Sequence, residues 1–215
     1  MARSHPLQNR VAPNGQIHAV ADRGLRMGNR GGRIHDPQTR TLFNRRWASK
    51  QWIICELEFR DYGPRDVMGP GSYTELFFLD EVTALAAGHR PCALCRRKAF
   101  QAYQAAVASP GEREQGKVLR APEIDAALHG ERLIKPSQNL QEKAWTELPD
   151  GAMVDVDGAA YAVSGEALLQ WSFAGYVSAR KRPTSGQARV LTPPTSLRAL
   201  TAAYLPVWHP SSLAV

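Results

Sequence analysis

Cysteine occurs only three times in these 215 residues, and two of the three stand at Cys92 and Cys95, with Pro91 just before them and Arg96, Arg97 and Lys98 just after. This C-x-x-C constrains the local fold more than any other feature. Its turn brings two sulfurs to one side, where they either share a tetrahedral ion at about 2.3 Å or close on each other as a redox pair. A redox pair of the thioredoxin kind sits in a βαβ setting, whereas this one lies between two stretches of helical composition, which favours metal. The cations that follow lower the thiol pKa values and so favour the metallated form. Zinc is the expected cofactor. An odd cysteine count in a chain this long suits reduced thiols or ligands better than a disulfide framework, so a reducing, cytoplasmic location is expected.

A chain of this length buries a core without staples and accommodates one large domain or two small ones. No apolar run approaches the roughly 20 residues that span a bilayer, and the first thirty residues are polar and Arg-bearing rather than signal-like. Residues 1 to about 40 are broken by Pro13, Gly15, Gly24, Gly28, Gly31, Gly32 and Pro37 and read as an irregular basic arm. Gln51 to Phe59 reads as a strand that carries Cys55, and a turn-rich stretch follows from Asp61 to Ser72. Leu76 to Leu79 is a short apolar run. Asp80 and Glu81 then open a helix that Gly88 closes, and Cys95 to about Val107 forms a second helix with Phe100, Tyr103 and Val107 on one face.

Ser109 to Gly116 reads as a linker, dividing the chain into a first unit over 1–108 and a smaller one over 117–215. From there to about Asp150 the pattern assigns little. Met153 to Val163 reads as a hairpin about Asp157-Gly158. A strand over Arg189 to Leu191 and a helix from Thr192-Pro193 to about Tyr204 complete an α+β chain, in which Trp145, Trp171, Tyr176, Tyr204 and Trp208 read as core.

The stretch from Leu76 to Arg97 (LFFLDEVTALAAGHRPCALCRR) resembles the second half of the metal-binding domain of the Ada alkylation-repair proteins. There too a short aromatic strand, an Ala-rich helix, a Gly-aromatic-Arg-Pro turn and a C-x-x-C follow in this order. The match covers about a tenth of the chain. Cys55 resembles that family's strand-borne cysteine, which is both zinc ligand and methyl acceptor. The resemblance implies a zinc fold with Cys55, Cys92 and Cys95 as ligands. It departs at Phe59, where the family has a further cysteine, and no helix-turn-helix pair or methyltransferase-type cysteine motif follows. The fourth ligand is then His89, which makes H-x-x-C-x-x-C, or His35, or water. Against ligation, His89 reads as a ring filling the family's aromatic slot, and His35 as a surface-loop histidine. His18, His129 and His209 stand in no motif.

Charge suggests a partner. Residues 1–50 carry a net +8 and the other 165 sum to −1. Nine of the ten cations in that first stretch are arginine, whose fork suits phosphate. Nucleic acid is the expected partner, DNA ahead of RNA, with Arg30, Arg33, Arg45, Arg46, Arg96 and Arg97 on phosphates and Trp47 stacking a base, while Trp52 reads as core. The alternative is a metal-dependent hydrolase acting on a nucleotide or nucleic acid, if the ion keeps an open position. A zinc deaminase is disfavoured, because Pro91-Cys92-x-x-Cys95 has no H-x-E before it. The glycine- and arginine-rich segment from Asp22 to Asp36 reads either as a phosphate cradle with His35 as base or, better, as part of the flexible arm.

Overall fold

A computed structural model describes residues 5–60, 66–71, 73–133 and 141–215. The readings made above for residues 1–4, for 61–65 and 72 of the turn stretch and for 134–140 fall outside them. The chain is α+β, with two six-stranded sheets and helices between and around them.

In chain order the first half contains β1 (Gln8–Val11), β2 (Ile17–Ala19), β3 (Arg26–Arg30), β4 (Trp52–Cys55), β5 (Leu76–Phe78), α1 (Glu81–Ala86), β6 (Arg90–Pro91), α2 (Arg97–Val107), α3 (Pro110–Glu114) and α4 (Ala121–Leu133). Its strands align as β2-β1-β5-β3-β4-β6. The β1–β5 and β4–β6 neighbours are parallel and the rest antiparallel. The second half contributes β7 (Gln141–Ala144), β8 (Met153–Val156), β9 (Ala159–Ser164), β10 (Ala167–Ser172), β11 (Gly175–Lys181), β12 (Gln187–Val190) and α5 (Pro194–Thr201). These strands form an antiparallel sheet in the order β11-β10-β9-β8-β12-β7.

The stretch expected as an irregular arm therefore carries three strands. Its strand character is hidden because the strands are short and buried Val11, Ile17 and Met27 alternate with no regular period among buried polar or glycine positions such as Asn9, Gly28, Asn29 and Arg30. Asn9 is fully buried and its amide donates to Glu75 O at 3.0 Å. Gly28 lets β4 approach so closely that a Cβ there would lie 2.2 Å from Ile53 O. With backbone groups of residues 26–30 committed to the ladder, the segment is not a cradle of free amides. The 109–116 linker likewise contains the short α3, and α4 occupies sequence that the pattern left unassigned.

Other expectations match their elements. Asp80 caps α1 by accepting from Thr83 N at 2.8 Å, and Gly88 turns the chain at φ +79°. Phe100, Tyr103 and Val107 form the buried face of α2. The β8–β9 hairpin turns on Asp157 and Gly158, both at positive φ, as a tight two-residue turn requires. α5 begins one residue later than expected, with Pro194 rather than Pro193 in its first turn.

The helix α1 is short and entirely buried, and it joins the two halves. Ala84 and Leu85 belong to a core with Ile54, Phe78, Tyr103, Ile124, Leu200 and Tyr204, while Val82 and Ala86 pack with Met153, Ala162, Leu169 and Tyr176 of the second sheet. Its first two carboxylates tie down the C-terminal segment. Asp80 accepts from Tyr176 Oη at 2.9 Å and His209 N at 3.0 Å. Glu81 accepts from Tyr204 Oη at 2.6 Å, Val207 N at 3.0 Å and both terminal nitrogens of Arg96.

Candidate metal centre and the basic cleft

Cys55 ends β4, and Cys92 and Cys95 lie in the turn that leads from β6 into α2. Because β6 pairs with β4 in parallel and Cys92 N donates to Ile54 O at 2.9 Å, the turn is held against the end of the strand. The three sulfurs lie within 4.8 Å of one another. Two-residue β6 means that the pair follows a strand rather than a helix, but a third thiol at this distance is what an ion needs and a redox pair does not. Backbone N–H groups of Leu94 and Cys95 point at Cys92 Sγ, and that of Glu56 at Cys95 Sγ. Such donors stabilise sulfur that carries negative charge. Without an ion the thiols share protons. Hydrogen bonds from Cys55 and Cys95 hold Cys92 far below the ordinary thiol range, and the bond to Cys92 pushes Cys55 far above it.

Neither expected histidine joins the thiols. His89 is fully buried, with its ring 5.0 Å from Trp52 and 4.7 Å from Phe78 in centroid distance. Burial and the nearby Arg30 and Arg132 charges push its pKa well below the usual value, so the ring is neutral. It occupies the packing slot. His35 is buried as well, which overturns its surface-loop reading, and it stands apart from the thiols. Its Nδ1 lies 2.6 Å from Thr74 Oγ1, and the same hydroxyl accepts from Ile34 N. Among the described residues, the cluster consists of the three cysteines alone. Glu56, the carboxylate adjoining it, is taken by Arg26 and Arg96, each at 3.0 Å.

The predicted phosphate contacts divide. Arg33, Arg45, Arg46 and Arg97 are exposed. Arg96 is not: it is buried and forked onto Glu81, which removes it from the basic surface. Arg30 is also buried, because β3 is central in its sheet and turns this side chain inward. Its Nη2 donates to Gly15 O at 2.7 Å, and its guanidinium lies 4.0 Å from the Trp52 ring centre.

Arg132, from the α4 that the sequence did not reveal, stacks against the same ring at 4.2 Å. Among the described residues its donors reach only backbone oxygens, Leu128 O at 2.8 Å and Lys50 O at 3.3 Å among them. Trp47 is half-buried, 6.1 Å from Trp52 and edge-on to His129 at 5.4 Å. Arg30, Arg46, Trp47, Trp52 and Arg132 line a cleft of about 680 Å³ together with Leu191 to Pro194 and Gln141, whose strand pairs with the one that ends at Val190. Sequence reasoning found Arg46 and Trp47 through their basic, aromatic context. It missed Arg132 and Gln141, which no motif marks.

The arrangement defines an α+β protein with a three-cysteine cluster compatible with a metal ion and a separate cationic cleft floored by tryptophan. Comparison with protein-family models, with curated proteins and with solved structures gave no match.

Proposed function

We propose that the protein binds zinc through Cys55, Cys92 and Cys95 and binds nucleic acid through the basic β3–β4 connection, the ion serving the fold. The observation that carries this reading is the convergence of three sulfurs within 4.8 Å, supplied by a strand end and a turn far apart in sequence. Thiolates select zinc over the hard cations, and N–H donors on the sulfurs offset the negative charge that three thiolates bring to one ion. The exposed Arg33, Arg45 and Arg46 with Trp47 support the second half of the reading, since cations track a phosphate backbone while an aromatic face takes a base. DNA stands ahead of RNA on the resemblance to the alkylation-repair metal domain. Three unpaired thiols suit a reducing cytoplasm.

A structural role for the ion is preferred over hydrolysis because Glu56, the carboxylate beside the cluster, is held in two ion pairs and is poorly placed to act as a general base. Elemental analysis of protein purified without chelator tests the reading. We expect about one zinc per chain, lost in Cys92→Ser; a metal-free wild type would remove it. Binding of an unphosphorylated oligonucleotide, as DNA and as RNA across a salt series, tests the second half.

A further inference from the structure

We propose that the cleft floored by Trp52 captures a single phosphomonoester, the phosphate of a nucleotide, between Arg30, Arg46 and Arg132. This deepens the nucleic-acid reading and rests on it for the polymer, but the cleft makes its own chemical demand. Arg30 is 2% exposed and has no carboxylate partner among the described residues. A buried guanidinium without a countercharge is unfavourable, and an anion relieves it. Burial, reinforced by Arg132 and Arg46, pulls its pKa down to about 9, so both of these cations lie close enough to repel Arg30.

Of the two carboxylates near Arg132, Asp125 is neutralised by another arginine, and Glu131 keeps its charge but has its oxygens occupied by a neutral partner. Both oxygens of Asp125 accept from Arg90 at 2.8 Å, and Glu131 accepts from Thr195 N and Oγ1. Glu142 is the other acidic residue on the lining, and it is exposed. Unused donors collect on the lining of the same cleft: Arg30 Nε, Arg132 Nη1, Trp52 Nε1 and Gln141 Nε2 are buried without a hydrogen-bond partner among the described residues. A site with a surplus of donors and of positive charge suits a dianion that only accepts, and a phosphomonoester is one. The 680 Å³ volume exceeds what phosphate alone needs, and Trp47 at the margin offers a ring for an attached base.

A free nucleotide and the phosphorylated end of a strand present the same group. Calorimetric titration of the full chain with adenosine 5′-monophosphate, adenosine and inorganic phosphate tests the cleft. Oligonucleotides with a 5′-phosphate or a 5′-hydroxyl distinguish the two sources. Saturable binding of the monophosphate, at least about ten-fold tighter than adenosine and weakened about ten-fold in Arg46→Ala, is the expected result. Arg30→Met should abolish binding. Should that variant fail to fold, Arg132→Met and the exposed Arg46→Ala carry the test.

Equal binding of monophosphate and adenosine, or monophosphate binding unchanged in both Arg46→Ala and Arg132→Met, overturns the proposal. A preference for the 5′-phosphorylated strand assigns the site to a strand end, and monophosphate binding without that preference assigns it to the free nucleotide. Oligonucleotides that bind regardless of end group, with no monophosphate binding, leave the polymer reading standing and sink this one. Monophosphate binding with no oligonucleotide binding does the reverse.

Discussion

At Cys92 the backbone decides what the sulfur does. Its amide is spent on Ile54 O, while the amides of the next residues turn toward the sulfur itself. The sulfur is thereby held beside the other two thiols, in an arrangement compatible with a metal ion. Cys92→Ser should reduce bound zinc to background and cost several kcal/mol of stability, read by elemental analysis and thermal melting together. His89 offers a different test. Its pKa lies well below 6.5 in the folded chain, so below that pH the unfolded chain binds one more proton and stability falls as pH falls, by about 1.4 kcal/mol per unit. Replacing it with the aromatic that the slot accommodates, in His89→Phe, should flatten that acid limb in denaturant titrations between pH 6.5 and 5. A persistent slope would mean that the ring is charged or solvated. On the exposed β3–β4 connection, Arg45→Ala with Arg46→Ala should lower the salt slope of nucleic-acid affinity by about two, one for each lost phosphate contact.

Elements show where local patterns are readable and where they are not. α1 announces itself through Asp80 and Gly88, because a cap and a left-handed turn need particular residue types. The alternating hairpin at Asp157-Gly158 does so for the same reason. β3 gives no such signal: in Arg26-Met27-Gly28-Asn29-Arg30 only Met27 is an ordinary core residue, and the buried Asn29 and Arg30 are of types normally found outside. Gly28 is required by the close passage of Ile53 O rather than by a turn. Gly28→Ala should therefore cost about 1–3 kcal/mol, more than a glycine substitution in an arm, and urea unfolding measures the difference. α4 was unreadable because its buried face is narrow. From Ala121 to Arg132 only Ile124, Asp125 and Leu128 are buried, too few to set a helical period.

For the whole molecule, the question is whether the two expected units are independent. Their cores meet on α1, and Glu81 links a residue beside the cysteine turn, Arg96, to Tyr204 and Val207 near the C-terminus. We expect a single unfolding transition, with fluorescence and far-UV circular dichroism superimposing. Glu81→Leu should destabilise by about 3 kcal/mol or more by leaving Arg96 short of its main carboxylate, and both probes should shift together. Two separated transitions would show that the halves fold alone.

Sequence by itself determined the features whose physics is local or compositional: the α+β class, the capped α1, the amphipathic α2, the hairpin, the C-x-x-C turn and the excess of arginine in the first fifty residues. Tertiary structure decided which of those residues act together. It brought Cys55 across 37 positions to Cys92 and sent His89 and His35 into packing. It folded Arg96 onto Glu81 and set Arg30 and Arg132 both against the Trp52 ring system. The reason is that a ligand set or an uncompensated charge is a property of distances between strands and helices, and those distances are fixed by sheet order and core packing rather than by any run of neighbouring residues.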